Sequence, residues 1–403
     1  MNRVVITGVG VVSPVGCGLN EFWSALVDGR SGIRAIENIP TQRFSTRIAA
    51  QVLDFDPNTH FEPKRANQFD RFTQFAVVAA RAAVRDAGLE IDEELALEIA
   101  TVIGTGAGGH ITIDDSYLKL YGENSPKVHP LTIPRMMVNA AASQISMDLG
   151  LKGPTFTTAT ACASGTHAIG QAFHMVRSGQ APVAIAGGTE ACLTVGTIKA
   201  WEALRILSND TCRPFSKNRS GLVLGEGAAI LVLESRDRAV ARGAPIYAEL
   251  RGFGMSADAV DLISPDPDGA ARAIRSALSD AQTNMEDVDY VNAHGTGTTL
   301  NDRTETKALR SVFGKHADKL AVSSNKGVLA HGLGCAGALE AAATALALHS
   351  QIVPPTANFE EKDPECDLDV VPNVARQMPI RSAISNSFAF GGLNAVLVLG
   401  RVQ

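Results

Sequence analysis

One cysteine and two histidines stand where reactive groups would be useful. Cys162 lies in TTATACASGTHAIG, between an expected buried strand and a helix, and its neighbours Ala161, Ala163, Ser164 and Gly165 are all small. Small neighbours let a carbonyl carbon approach sulfur. They also bare backbone N–H groups at the start of the following helix, where the positive dipole end favours a thiolate or a thioester oxyanion. A thiolate attacks acyl carbon readily, and the thioester it forms can pass its acyl group on. The spacing alone equally allows Cys162 to be a packed core thiol. His294 ends a short apolar strand in VNAHGTGTTLND, and Lys326 and His331 precede a small-residue helix in SSNKGVLAHGLGCAGALE. Either histidine alone fits a structural role. Two of them, each in a glycine-rich loop after a strand, can converge on one cleft, because active groups of layered α/β folds sit beyond strand ends.

The elements around these residues follow from alternating short apolar runs and longer segments of helical period. Strands are predicted at Val4–Gly8, Ala100–Ile103, Val183–Ala186, Ala229–Glu234, Tyr247–Phe253, Tyr290–Asn292, Ala321–Ser323 and Ala395–Leu399. Helices are predicted at Asn20–Asp28, Asp70–Ala87, Ser164–Arg177, Ala270–Ala281 and Leu333–His349. Two halves echo one another. LVLGEGAAILVLE at 222–234 resembles FAFGGLNAVLVLG at 388–400, and VIGTGAGG at 102–109 resembles VNAHGTGT at 291–298. A small-residue helix follows later in each half, so a duplicated α/β unit packed about a pseudo-twofold is expected.

Composition narrows the function. The chain has 403 residues, 45% hydrophobic and 19% charged, which suits a large core and not disorder. A net charge of −6, no basic run and 5% aromatics argue against a nucleic-acid partner. Six scattered cysteines form no CxxC pair, no signal peptide opens the sequence, and no run approaches the roughly 20 apolar residues of a membrane span. Reduced thiols and a cytoplasmic location are the expectation. GTGAGG at 104–109 lacks both the P-loop lysine and dinucleotide spacing, so it implies no nucleotide.

ATACASG resembles the nucleophile turn of the β-ketoacyl–acyl carrier protein synthases. The resemblance runs from VVITGVGVVSPVG near the start to NSFAFGGLNAVLVL near the end. It is greatest to the synthase II and nodulation protein E types, the latter through WEALRILSNDTCRPFS, CDLDVVPNVARQ and VPPTANF. It implies a thiolase-like α/β fold with duplicated halves, 1–245 and 246–403, in a layered α-β-α-β-α body. The implied activity is decarboxylative condensation of a malonyl thioester with an acyl group held on Cys162. His294 and His331, as neutral imidazoles, would donate hydrogen bonds to the enolate oxygen. Lys326, paired with Glu340, would orient them.

The same resemblance makes Phe390 a gate whose amide joins that of Cys162 in an oxyanion hole, with Phe388 at the mouth and Ala107 bordering the acyl pocket. It puts the carrier-protein dock at Lys64, Arg65, Lys127 and Arg205. An internal monovalent cation, sodium or potassium, is implied near Asn292, Glu340, Ser385 and Asn386. No cofactor is required beyond the phosphopantetheine arm of the acyl carrier protein, and a homodimer or a heterodimer with a related chain is expected. A thiolase would carry a second cysteine in the C-terminal glycine motif, and NSFAFGGLN has none. A catalytically silent chain-length factor would lack the nucleophile. Departures from the family pattern are Leu393 for threonine in the gating loop, and Asn325, Gly327 and Ala330 for Thr, Ser and Gly before His331.

Overall fold

Runs of β-branched and small residues set the sheet. Val4–Val12 (VVITGVGVV) is buried along its whole length, as befits a strand covered on both faces. In the computed structural model, which describes residues 1–402, this is β1 of a ten-stranded sheet. The other strands are β2 (Ala100–Gly104), β3 (Thr155–Thr158), β4 (Val183–Glu190), β5 (Gly227–Ser235), β6 (Ala248–Ala257), β7 (Tyr290–Asn292), β8 (Ala321–Ser323), β9 (Ser382–Ala389) and β10 (Leu393–Gly400). Their spatial order is β8-β7-β9-β10-β6-β1-β5-β4-β2-β3.

From the centre outward, each half runs through its first, fifth, fourth, second and third strands. The directions repeat as well. β1–β5 and β5–β4 are antiparallel and β4–β2 and β2–β3 parallel. β6–β10 and β10–β9 are antiparallel and β9–β7 and β7–β8 parallel. The halves join where Val4, Val5 and Ile6 of β1 pair with Leu250, Glu249 and Ala248 of β6. Duplication is therefore written in the topology.

Six helices complete the repeat: α1 (Arg71–Asp86), α2 (Ala140–Leu149), α3 (Ser164–Ser178), α4 (Pro267–Asp280), α5 (Thr299–Phe313) and α6 (Ala336–Ser350). Helices α3 and α6 pack on each other and on strands of both halves, while α1 with α2, and α4 with α5, cover the outer faces. The result is the expected α-β-α-β-α layering. α6 is buried from Ala336 to Leu348, as a helix apolar on every side must be.

Small residues bring the outer helices close to the sheet. A Cβ on Gly8 or Gly10 of β1 would lie 2.2 Å from the Ala83 carbonyl oxygen or 1.9 Å from that of Ala79 in α1. Gly252 and Gly254 of β6 face Ala277 and Ala273 of α4 in the same way. Both halves thus use a Gly-x-Gly strand against an alanine ridge.

All the strands and helices given ranges are present, Tyr290–Asn292 and Ala321–Ser323 with the bounds expected and the others with shifted ends. The last helix opens as a 3-10 turn, Leu333–Cys335, and becomes α-helical at Ala336. The strand expected ahead of Cys162 is β3, but it is an exposed edge and not buried, because it ends the sheet and has a neighbour on one side only. Strand β9 and helices α2 and α5 were not anticipated. No helix among the described residues is long and apolar enough to cross a membrane.

Candidate active site

The nucleophile turn is forced by what it lies against. After β3 the chain makes a 3-10 turn, Ala161–Ala163, and enters α3 at Ser164. Ala161 takes a left-handed φ of 48°, a strained state for a residue with a side chain. Ser164 secures the bend, accepting from the Thr160 N–H at 2.9 Å and donating to the Ala161 carbonyl at 2.7 Å. Cys162 is buried at 6% exposure. Its sulfur receives the backbone N–H groups of Phe390 and of Cys162 itself. Burial nevertheless pushes the thiol up to about 12, with Lys326 opposing and Glu190 adding to the rise. The resting group is a thiol, with desolvation outweighing Lys326 and the two amides that favour the thiolate.

His294 follows β7 and His331 follows the short helix Lys326–Leu329. Both are 2% exposed, and their rings meet edge to face with centroids 5.3 Å apart. Burial, reinforced by the Lys326 charge, holds both well below the usual histidine range, and for His294 the neighbouring His331 adds to this. Both rings are therefore neutral near pH 7. The Leu333 N–H donates to His331 Nδ1 at 3.3 Å, and Lys326 Nζ stands 3.5 Å from His294 Nδ1. With Nδ1 accepting in each ring, the proton rests on Nε2, which is then a hydrogen-bond donor. Malonyl decarboxylation, which needs both donors neutral, should stay level as pH falls from about 8 to about 6.5, since neither ring protonates there; rates of carbon dioxide release across that range check this.

Lys326 is 1% exposed and gives its ammonium to the Glu340 carboxylate and, at 2.6 Å, to the His294 carbonyl oxygen. The resemblance placed Lys326 and Glu340 together, and they are in contact. Burial raises Glu340 to about 7 against the pull of Lys326. Two further carboxylates, missed in the sequence, hold the loops. Glu305 accepts from the N–H groups of His294 and Gly295 at 2.9 and 2.8 Å. Glu190 accepts from Gly106, Ala107 and Gly334 N–H and from the Thr105 hydroxyl at 2.7–3.1 Å, tying the GTGAGG loop to the turn after His331. Glu190 had one visible signal: it is the lone charge in the apolar segment VAIAGGTEA.

Ala330 occupies φ 56°, ψ −165°, a region populated essentially by glycine. Ala330→Gly should therefore raise stability by about 1 kcal/mol, the relieved strain outweighing the added chain entropy of the unfolded state. Urea unfolding midpoints of the two proteins measure it.

Cys162, His294, His331, Phe388 and Phe390 all line one cavity of about 310 Å³, together with Trp201 and Arg205. Phe388 lies edge-on to His294, and Phe390 stacks on Trp201. Phe390 sits at the tip of the β9–β10 hairpin, before Gly391 and Gly392 at φ 82° and 68°. Ala107 does not line this cavity; half-buried, it packs against the core cluster that contains Cys162 and ties its N–H to Glu190. Lys64 and Lys127 are exposed, whereas Arg65 is engaged with Asp148 at 2.6 Å. Of the four basic residues, Arg205 alone lines the cavity. At the expected cation position, Asn292 Oδ1, Glu340 Oε2, Ser385 Oγ and Asn386 Oδ1 are buried and have no hydrogen-bond partner among the described residues. Asn292 and Ser385 are cross-strand neighbours, and the Asn292 amide donates to the Glu340 carbonyl.

A thiol with two aimed amides, facing two neutral imidazoles at the seam of a duplicated α-β-α-β-α body, defines the thiolase-like condensing acyltransferases. Within that class the chain belongs to the β-ketoacyl synthase family: residues 1–239 match the beta-ketoacyl synthase N-terminal domain and residues 247–360 the C-terminal domain. It is 47% identical to nodulation protein E of Rhizobium sp. (strain N33) over 99% of both chains. It is 45% identical to 3-oxoacyl-[acyl-carrier-protein] synthase 2 of Staphylococcus aureus (strain COL), over 100% of this chain and 99% of the relative. The solved ishigamide ketosynthase/chain length factor superposes with a TM-score of 0.95 at 39% identity, covering 100% of both chains.

Proposed function

We propose that this β-ketoacyl–acyl carrier protein synthase works by a two-stage exchange at Cys162, with His294 and His331 serving the malonyl stage. The observation that carries this reading is the shared cavity: sulfur, its two amides and both imidazoles open onto one space. In the first stage the acyl thioester oxygen lies in the N–H groups of Cys162 and Phe390. A bond forms from Sγ to the acyl carbon, and the phosphopantetheine sulfur leaves with the proton that Cys162 gives up. In the second, the malonyl thioester oxygen accepts Nε2–H from both histidines. The bond to the carboxylate carbon breaks, carbon dioxide departs, and the electron pair remains as the enolate. Its carbon attacks the acyl carbonyl, Cys162 leaves as thiolate, and a proton from solvent restores the thiol.

Lys326 and Glu340 keep His294 Nδ1 an acceptor and move no proton. The orphaned oxygens of Asn292, Glu340, Ser385 and Asn386 fit a hard monovalent cation such as sodium or potassium, which would neutralise buried charge behind His294. Phe390 is the gate, with Phe388 at the mouth. The carrier's acidic face docks near Arg205, with Lys64 and Lys127 and a smaller share from Arg65, whose charge Asp148 already meets. Residues 1–245 and 246–403 are the two synthase halves, a division supported by their repeated topology. Ala107, outside the cavity around Cys162, would leave room only in an acyl channel reaching beyond it; rates of transfer to Cys162 across acyl lengths test this, and a preference for short chains alone would refute it.

A homodimer, or a heterodimer with a related chain, is supported by the edge strand β3 at one end of the sheet, where Phe156 is 39% exposed. Nearby residue numbers carry further exposed apolar groups, Ile133 and Met147, and such open edges invite a partner. Incubation with acyl–carrier protein and peptide mapping by mass spectrometry test the activity. The expected acyl adduct is on Cys162, and a chase with malonyl–carrier protein removes it; an adduct elsewhere, or none, would refute the scheme.

A further inference from the structure

Phe390 has a second attachment that its gating role leaves unexplained. Its ring lies on the indole of Trp201, with centroids 5.6 Å apart and planes inclined by 25°. Trp201 belongs to the helix Val195–Ala203, and that helix is fixed to parts of the protein distant from the hairpin. Glu202 accepts the Ser45 and Thr46 N–H groups at 2.6 and 2.9 Å, and Thr197 Oγ1 meets His110 Nδ1 at 3.1 Å. Behind Phe390 the turn is held differently. Gly391 N–H donates to the Leu262 carbonyl at 2.8 Å, and Asp258 N–H donates to the Gly392 carbonyl at 2.9 Å. The ring thus rests on a helix tied to other elements, while the two glycines beside it can absorb a change of direction.

The ring and the oxyanion-hole amide belong to the same residue. Holding the Phe390 ring restrains the hairpin tip that also carries its N–H, which acts on the Cys162 sulfur. An acyl group bonded to that sulfur would compete for the space at which Phe390 now stands, since both line one small cavity. We propose that Trp201 is a positioning residue for the condensation: it latches the Phe390 ring while Cys162 is free, keeping the Phe390 amide on the sulfur, and releases the ring once Cys162 is acylated. This rests on the reading of Phe390 as the gate. A stacked aromatic pair biases a two-state equilibrium by about two- to tenfold, enough to hold a gate and weak enough to let it open.

The chain has two tryptophans, and the other, Trp23, lies on the separate helix Leu19–Val27. In a Trp23→Phe protein the emission therefore reports Trp201. Acylation of Cys162 with a saturated acyl–carrier protein should change that emission, and the same mixture with Cys162→Ala should not. In parallel, Trp201→Ala should lower the kcat of acylation about two- to tenfold with KM nearly unchanged, and Trp201→Phe should restore most of it. Unchanged emission on acylation, or a Trp201→Ala protein that acylates as the natural one does, overturns the latch. Phe390→Ala separates the two readings. If it slows acylation while Trp201→Ala does not, the latch alone is wrong; if neither slows it, the gate is wrong and the latch falls with it.

Discussion

Replacing His331 with alanine should lower malonyl–carrier decarboxylation by about 10²–10³-fold, the usual effect of losing one donor to a developing oxyanion. Acyl transfer to Cys162 should lose far less. On the proposed scheme the reason is geometric: the first stage would use the amides of Cys162 and Phe390, whereas the second would use the Nε2–H groups of His294 and His331. Carbon dioxide release and the acyl adduct on Cys162, measured on the same preparation, separate the stages. Equal losses in both would mean that His331 acts on the thiol itself and that the division of labour is wrong.

Lys326→Met carries the largest expected effect on stability. The substitution keeps length and apolar stem but leaves the Glu340 carboxylate, 2% exposed, without its cation. Breaking one side of a buried pair costs about 3–5 kcal/mol. The pH dependence has a definite sign. Burial raises Glu340 in the folded protein to about 7 from an ordinary 4.5, and without Lys326 it would rise further. A group with a raised folded pKa favours the folded state at low pH and loses that advantage as pH rises through the folded value. The deficit of Lys326→Met should therefore be greatest above about pH 7 and shrink below it. Adding Glu340→Gln should recover part of the loss at high pH. Urea unfolding at several pH values reads all of this, and a deficit independent of pH would show that Glu340 is not the group left exposed to the change.

The sequence made the reactive set legible because chemistry and chain geometry agree there. Cys162 sits among small residues ahead of a helix, and His294 and His331 sit in glycine loops after strands; the fold brings all three together. The duplication was legible too. The echoing segments at 222–234 and 388–400 prove to contain the corresponding strands β5 and β10. Other features left little trace. Strand β9 reads SAISNSFA, and its buried Ser385, Asn386 and Ser387 disguise a core strand as a loop. Strand β3 was expected before Cys162 as a buried strand, and its exposure follows from its place at the edge of the sheet, which TFTT alone does not reveal. Glu190 escaped notice because its partners are backbone N–H groups far along the chain, and Glu305 because its partners, though close in sequence, are backbone N–H groups of a loop that no side-chain spacing rule marks. The resting state of Cys162 was not legible either, because the burial that raises its thiol depends on neighbours from both halves.

Position by position, the departures from the family pattern differ in consequence. Ala330 adds strain beside His331, whereas Gly327 is required by its surroundings, since a Cβ there would lie 2.6 Å from the Ala357 carbonyl oxygen. Leu393 begins β10 opposite Ala389 and leaves the glycine pair of the gate intact. Nothing in the structure explains why Asn325, buried with both amide atoms lacking partners among the described residues, stands before Lys326.

A single-turnover experiment tests the shared-cavity chemistry most directly. Acyl-enzyme prepared at Cys162 and freed of excess donor is mixed with malonyl–carrier protein, and adduct, carbon dioxide and 3-oxoacyl product are counted together. The expected result is one carbon dioxide and one 3-oxoacyl–carrier protein for each acyl group lost from Cys162. Product formed while the adduct stays on the sulfur would contradict it.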